Sequence, residues 1–432
     1  MRQDAQAPAN RPTPSALECK DTDDANAMSL LTDKKILLGI TGSIAAYKVA
    51  DWVRALRREG CQVTVVMTEA ACRFISPLTM AALSGNPVHT TMFAAEAPET
   101  IPHISLAREH DLLVVAPASA QTIACLAHGL ADNLLTTIAL ASSGPILVCP
   151  AMNSVMFQHP ATQANLATIK SYGYQVLEPD CGTLACGEEG PGRLTDWENV
   201  RQAILTAFAP KNLANENVLI TAGPTREAFD PVRFLSNPST GKMGYALAAT
   251  ARQRGATVTL ISGPTALAAP PGVRRIQVTS AVEMQAEVMN CLDTATIVVK
   301  AAAVSDYRPA KKEPHKVKKG QASLSLTLVA NPDILKELGK RTKKSPKSPL
   351  LIGFAAESRD HLKEGARKLK EKNLDLIVVN DIGGTETGFG ADTNRVTLLD
   401  RNGAQEEVPL LSKEETAHRI WDAVGRLMTD NR

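Results

Sequence analysis

Three residues in the first half of the chain are of types that pass protons or hold anions, and each stands beside the end of a regular element. His103 precedes a helix in "IPHISLARE", Asn153 follows the apolar run "PILVC" in "PAMNSVMF", and Cys186 lies in the Gly-rich "GTLACGEEGPGR". Imidazole and thiol transfer protons near neutral pH, and an amide can hold a carboxylate. Taken singly, each also has an ordinary reading. A lone His is commonly a satisfied surface or interface group, Met152 and Met156 at helical spacing commonly pack in a core, and Cys181 with Cys186 but no nearby His makes a poor zinc set. Upstream, "LGITGSIAAYK" places Gly39, Thr41, Gly42 and Ser43 between a strand and a helix N-terminus, where backbone N–H groups and the helix dipole can receive a phosphate. The second half holds a longer counterpart, "TAGPTREAFDPVRFLSNPSTGKMG", in which Gly241, Lys242 and Gly244 let backbone approach phosphates closely. Neither GxxxxGK[ST] nor GxGxxG occurs in these turns, which argues against a P-loop ATPase and against a nicotinamide-dependent oxidoreductase.

The elements that must position these residues follow from apolar runs bounded by turn residues. "KILLGIT", "QVTVVMT", "DLLVVAPAS", "PILVCPAMN" and "YQVLEP" alternate with helical patterns, the βαβ order of a parallel doubly wound sheet. A polar, Pro-containing "AFAPKNLANEN" follows an amphipathic helix, and the alternation restarts with "VLITAG", "TVTLISG", "TIVVKAAAVSDY", "LLIGFAAE" and "LDLIVVND". A β-rich "NRVTLLDRNGAQEEVPLL" with an Asn-Gly turn and a last helix over "KEETAHRIWDAVGRLM" complete the chain. The reading is α/β: two doubly wound Rossmann-like domains over 31–209 and 210–432, after an Ala/Pro/Asp/Asn-rich segment 1–30 expected to be disordered. "RREGCQVTVVMT" and "RQRGATVTLISG" echo one another because each helix ends at a Gly suited to a left-handed C′ position.

Composition narrows the partners. With 47 basic and 45 acidic residues the net charge is +2, and aromatics are 4%, so neither a global field nor stacking platforms favour nucleic acid. No apolar run reaches the roughly 18 residues a membrane helix needs, and the N-terminus lacks a signal-peptide core; a cytoplasmic location is expected. Eight scattered cysteines do not suggest a disulfide framework. "KKEPHKVKKG" carries five lysines between Lys311 and Lys319, ordinarily a solvated run, and "GKRTKKSPKSP" reads as a surface loop.

From about Lys34 to Ala209 the chain resembles the flavin-dependent cysteine decarboxylases, through His103, the "APASAQTIACLAHGLADNLL" run, Pro150 to Asn153 with Met156, and the Cys186 loop. The resemblance implies a flavodoxin-like domain with FMN against Thr41, Gly42, Ser43, Thr68 and the turn Pro117, Ala118, Ser119. It implies His103 in the oxidative decarboxylation, Asn153 on the substrate carboxylate and Cys186 as proton donor to the enethiol. A regulatory binding subunit of this fold would be expected to lack one of these three residues, and all three are present.

From about Asn217 onward the chain resembles the phosphopantothenate–cysteine ligases, through "TAGPTRE", "DPVRFLSN", "GKMG", "AAAVSDYRP", "NPDIL", "GFAAE" and "KNLDLIVVND". Fused in this order, the halves resemble the bifunctional enzymes of bacterial coenzyme A biosynthesis. The implied substrates are phosphopantothenate, cysteine and CTP with Mg²⁺, joined through an acyl-cytidylate. The resemblance implies Asn237 stabilising that intermediate and Arg233 assisting the second step. It implies Asp306, Phe354 and the backbone of Ala301, Ala302 and Ala303 on the cytidine, and Lys316 and Lys372 on the phosphates, Lys316 from a mobile flap. Gly241, Lys242 and Lys368 are expected to contact the same nucleotide, and no metal ligand is singled out. Pro238 within the loop and Ser43 in place of a common Gly depart from the pattern without removing a functional group. A twelve-subunit assembly of trimers and dimers is implied.

Overall fold

A computed structural model of the chain describes residues 30–93, 101–318, 324–342, 348–357, 361–381 and 390–430. The segment 1–29, Lys319 and residues 343–347 of the lysine-rich loop lie outside the described residues, while Leu30 packs against the first core.

The first sheet is built from β1 (Lys35–Ile40), β2 (Gln62–Met67), β3 (Val88–His89), β4 (Leu112–Ala118), β5 (Ile146–Pro150) and β6 (Gln175–Val176), all parallel, in the order β3-β2-β1-β4-β5-β6. Helices cover both faces, so the central strands read as continuous apolar runs; every residue of β4 is buried. Leu38, Ile40 and Val65 pack in one cluster with Val49, Val53 and Leu56 of the helix Ala46–Arg58. On the opposite face, Leu37, Leu113 and Val115 pack with Leu135 and Ile138 of the helix Leu134–Ala141.

The Gly-rich segment expected as a loop is instead an antiparallel ribbon, β7 (Asp180–Thr183) with β8 (Glu189–Arg193), whose tip carries Cys186. The ribbon docks through Met152 N–H donating to the Gly192 carbonyl at 2.9 Å. Gly192 has φ 134°, and a Cβ there would stand 2.2 Å from the Met152 carbonyl oxygen, so only glycine permits the approach.

The second half contributes β9 (Asn217–Ala222), β10 (Arg226–Ala228), β11 (Phe234–Ser236), β12 (Thr257–Ser262), β13 (Arg274–Gln277), β14 (Ile297–Lys300), β15 (Tyr307–Pro309), β16 (Leu328–Ala330), β17 (Leu350–Glu357), β18 (Leu376–Asp381), β19 (Thr393–Asp400) and β20 (Gln405–Ser412). Its main sheet runs β13-β12-β9-β14-β17-β18-β19-β20, parallel through β18 and closed by an antiparallel β19–β20 hairpin turning at Asn402 and Gly403. The long loop expected after β9 is partly ordered, because β10 and β11 pair antiparallel and the buried Glu227 accepts from Ala281 N–H at 2.9 Å. Gly60 and Gly255, at φ 84° and 96°, end the two echoing helices in the left-handed region.

In both sheets the strand order reverses beside the first strand, at β1/β4 and at β9/β14, which opens a crevice at the carboxyl ends. One buried threonine bridges each crevice. Thr41 Oγ1 donates to the Pro117 carbonyl at 2.6 Å and accepts from Ser119 N–H at 2.9 Å. Thr221 Oγ1 accepts from Ala302 N–H at 3.3 Å, while Ala301 N–H donates to the Thr221 carbonyl at 3.2 Å. Between the halves, Arg201 reaches Glu59 at 2.8 Å and Glu414 at 2.9 Å. Thr41→Val keeps the volume but leaves the buried Pro117 carbonyl and the partly buried Ser119 N–H without this partner, so it should lower stability by about 1–3 kcal/mol in urea unfolding. Thr41→Ser should recover most of that loss; equal damage from both would assign the effect to the lost methyl.

Candidate functional site

The first crevice opens into a cleft of about 650 Å³ lined by Gly42, Ser43, Ser119, Met152, Asn153 and Cys186, with Tyr47, Phe74, Met156 and Arg193. Its residues are set by helix ends. Ser119 caps the helix Ala120–His128 by accepting from Thr122 N–H at 3.3 Å. Asn153 caps the helix Ser154–Gln158, Oδ1 accepting from Val155 N–H at 2.8 Å. That bond fixes the amide, so Nδ2 points to Cys186 Sγ at 3.5 Å and Glu188 Oε2 at 2.6 Å.

Several other expected residues are placed differently. Thr41, Pro117 and Ala118 stand behind the cleft wall, with the Thr41 hydroxyl committed to the bridge already described. Thr68 spends its hydroxyl on Ala71 N–H at 3.2 Å, capping the short helix Glu69–Cys72. His103 does not line the cleft: its helix, Pro102–Glu109, packs against Leu134–Ala141, and His103 Nδ1 is buried with no hydrogen-bond partner among the described residues.

A flavin fits this cleft on three counts. Its volume lies within the usual range for cofactor pockets, and Ile44, Tyr47, Phe74, Met152 and Met156 give apolar walls for a flat ring. The helix Ala46–Arg58 starts without a side-chain cap, which leaves the N-terminal end suited to a phosphate.

The second crevice holds a smaller cleft of about 320 Å³, lined by Asn237, Gly241, Lys242, Lys300, Ala301, Ala302, Ala303, Asp306 and Phe354, with Asn380, Asn394 and Lys413. Asn237 Nδ2 donates to the carbonyls of Ala303 and Val304, each at 3.2 Å. Gly241, at φ 81°, precedes the helix Lys242–Gln253, which also begins without a side-chain cap. Lys242 pairs with Asp392, and the buried Lys413 donates to Asn394 Oδ1 at 3.2 Å and to the Ala391 carbonyl. Burial and the neighbouring Lys242 push the Lys413 ammonium down, against Asp392.

Arg233 and Lys316 are not brought into this cleft. The Arg233 guanidinium donates to Asp230 Oδ2 at 2.7 and 3.0 Å and to the Val317 carbonyl at 2.8 Å, and lies over the Phe229 ring. Asp230 also accepts from the N–H groups of Val232, Arg233 and Val317, so the segment 311–318 is tied at Val317 by this carboxylate and its arginine, and at Glu313 by the Phe229 carbonyl at 2.8 Å. Burial raises the Asp230 pKa, but Arg233 and those N–H groups outweigh it and hold the carboxyl well below the usual range. Lys316 is exposed on this anchored segment. Lys368 lies on the helix His361–Glu371, and Lys372, just beyond it, pairs with Asp333 at 2.9 Å.

Motif and spacing do not single out Glu188, Arg193, Lys300 or Lys413, all of which the fold brings to the clefts or their rims. For Lys300 the usable signal is a charged residue at the carboxyl end of an apolar strand, where such sheets bind ligands. Among the described residues no group of three His, Cys, Asp or Glu could hold a metal, and no helix is long and apolar enough to cross a membrane.

Two open α/β sheets, each with a crevice at its reversal point, one presenting an amide and a thiol and the other lysines and glycines at a helix start, define a flavoprotein joined to a nucleotide-using domain. Residues 25–209 match the family described as Flavoprotein, and residues 213–427 the DNA/pantothenate metabolism flavoprotein C-terminal domain. The chain is 45% identical over 402 residues to the coenzyme A biosynthesis bifunctional protein CoaBC of Bacillus subtilis, covering 92% of this chain and 98% of that one. It is 43% identical over 398 residues to its namesake from Escherichia coli K12, covering 91% and 97%. A crystal structure of the C-terminal domain of a CoaBC protein aligns at 41% identity and TM-score 0.43, over 51% of this chain and 99% of that one. The chain belongs to the family of coenzyme A biosynthesis bifunctional proteins, enzymes with phosphopantothenoylcysteine decarboxylase and phosphopantothenate–cysteine ligase activities.

Because the Asp230 pKa is depressed, its anchor is complete at neutral pH and is lost only as pH falls through that lowered value. Asp230→Asn should therefore release residues 311–318 at pH 8 and raise tryptic cleavage at Lys311, Lys312, Lys316 and Lys318 several-fold. Unchanged digestion would show that the segment is held elsewhere.

Proposed function

We propose that the second domain condenses 4′-phosphopantothenate with cysteine using CTP, and that the first converts the product to 4′-phosphopantetheine with FMN. The observation that carries the reading is the Asn153 amide, fixed by its own cap and turned toward the ribbon tip with Glu188 and Cys186 at a flavin-sized cleft. Gly42, Ser43 and Ser119 hold the flavin directly, while Thr41, Thr68, Pro117 and Ala118 shape the turns behind it. A bound flavin would supply reversible two-electron redox chemistry, which would bring the thiol-bearing carbon to the oxidation level that gives decarboxylation beside it an electron sink. Asn153 holds the substrate carboxylate, and Cys186, at the ribbon tip above it, gives the proton that completes the product. His103 belongs to a neighbouring copy's cleft. Its absence from the lining of its own cleft and its buried Nδ1, unpaired among the described residues, support a site completed by assembly, and with a dimeric ligase half this gives twelve subunits.

In the ligase half the substrate carboxylate attacks the α-phosphorus of CTP, forming a C–O–P linkage and expelling pyrophosphate. The cysteine amine then attacks the acyl carbon, and CMP leaves. Asn237 stabilises the acyl-cytidylate, with its amide held over the 303–304 backbone. Asp306, Phe354 and the backbone of Ala301 to Ala303 take the cytidine; Gly241, Lys242, Lys368 and Lys372 take the phosphates. Arg233 assists the second step by holding the segment that bears Lys316. The described residues do not build a metal site, so Mg²⁺ is proposed to enter with the triphosphate and no step is assigned to protein ligands of it. Both reactions are placed in the cytoplasm.

Mass spectrometry after incubation with phosphopantothenate, cysteine, CTP and Mg²⁺ tests both halves; phosphopantetheine with CMP is expected, and no product would overturn the reading. Cys186→Ser should let phosphopantothenoylcysteine accumulate at an undiminished ligation rate. Asn237→Asp should slow ligation by about 10²–10³, the usual cost of an oxyanion donor, and leave decarboxylation of supplied intermediate intact. Loss of both activities in either folded variant would contradict the independence of the halves, and a monomer by light scattering would defeat the assembly.

A further inference from the structure

Lys300 lines the second cleft, and Lys372 and Lys368 are close enough to act on its charge. Lys300 ends β14 at the carboxyl edge of the sheet, Lys368 lies on the helix His361–Glu371, and Lys372 follows that helix. Among the described residues, the acids that act on Lys300 are Asp306, in the loop after β14, and Asp333, before the helix Ile334–Thr342. Asp333 is already paired with Lys372. Lys300 lines the cleft, and its Nζ makes one long contact, to the Ala302 carbonyl at 3.4 Å. The next two carbonyls, of Ala303 and Val304, are those that Asn237 holds, so this lysine and the amide address one short stretch of backbone.

We propose that Lys300 completes, with Lys368 and Lys372, the subsite for the β- and γ-phosphates of the nucleotide, and that it discriminates a nucleoside triphosphate from a monophosphate. The proposal rests on the ligase reading above. Lys372 and Lys368 both act against a charge on Lys300, opposed by Asp333 and Asp306, so an anion that reaches Lys300 is favoured there. Burial and Lys372 push Lys300 down to about 8, opposed by Asp333 and Asp306 and reinforced by Lys368. A bound polyphosphate acts in the opposite sense and favours the charged amine. Binding of a triphosphate should therefore draw a proton onto Lys300 and weaken as pH rises through about 8, whereas a monophosphate lacks the groups that Lys300 meets.

Calorimetric titration of the full chain with CTP and with CMP, in Mg²⁺-containing buffers of differing ionisation enthalpy at about pH 7 and about pH 9, tests this. In the wild type, CTP should bind with proton uptake and lose affinity toward the higher pH. Lys300→Met should weaken CTP at the lower pH by about tenfold or more, the scale of a lost charge-assisted contact, and change CMP by less than about twofold. Lys300→Arg, charged throughout, should lose clearly less CTP affinity between the two pH values than the wild type, the remainder belonging to Lys413 in the same cleft, and it carries the test if the Met variant does not fold. Equal weakening of CTP and CMP in Lys300→Met, no weakening of either, or a wild-type pH dependence in Lys300→Arg would overturn the proposal. A wild-type chain that bound neither nucleotide would overturn the ligase reading and this proposal with it, whereas tight CTP binding indifferent to Lys300 would overturn this proposal alone.

Discussion

Each half of the molecule depends on a buried threonine hydroxyl where the strand order reverses. At β1/β4 and β9/β14 the connections leave in opposite directions, so the backbone beyond the strands can no longer be satisfied by regular ladder bonds. Thr41, just beyond β1, and Thr221, near the end of β9, both almost wholly buried, supply the missing partners. Side chains farther out inherit their positions from these bridges. Ser119 N–H is held by Thr41, and the backbone that Thr221 holds at Ala301 and Ala302 runs directly into the Ala303 and Val304 carbonyls on which Asn237 rests. A hydroxyl suits the task because it donates and accepts at once within a space of a few atoms.

The two halves bury separate cores. Among the described residues, the apolar clusters around the first sheet extend to Phe208 and those around the second begin at Leu213, and no cluster draws on both. Each sheet can thus hold its cleft without the other, which is the physical basis for two separable chemistries on one chain. What joins them is polar: Arg201 between Glu59 and Glu414, and Gln202 accepting from Gln253. Such contacts orient neighbouring domains while contributing little of the burial that stabilises either.

The fold is legible in the sequence where one physical rule acts alone. Strands buried on both faces appear as unbroken apolar runs, the Asn-Gly turn marks the β19–β20 hairpin, and Gly60 and Gly255 mark helix ends. It is not legible where the signal is tertiary. The β7–β8 ribbon looks like a loop because Gly182, Gly190 and Gly192 carry no strand preference, and pairing with each other and with Met152 creates the strands. Motif positions also cannot say what a side chain is already bound to. Thr68 is consumed by a helix cap and Arg233 by Asp230, while Gly42, Ser43, Ser119, Asn153 and Cys186 converge on one cleft, and Asn237, Gly241, Lys242 and Asp306 on the other.

A net charge of +2 conceals how unevenly charge is used. The first cleft is walled by Ile44, Tyr47, Phe74 and Met156, surroundings in which a flat ring can shed water. The second gathers Lys242, Lys300 and Lys413 on its walls, each from a different element and two of them paired with acids or carbonyls on a facing segment. Because these cations come from the helix Lys242–Gln253, from β14 and from the start of the helix Lys413–Asp430, no single run of sequence looks basic there. The conspicuous run, Lys311 to Lys318, instead lies on a segment tied down by Asp230. Positive potential for a polyphosphate is therefore a property of how the fold brings distant lysines together, since the start of the helix Lys242–Gln253, the end of β14 and the start of the helix Lys413–Asp430 line one cleft.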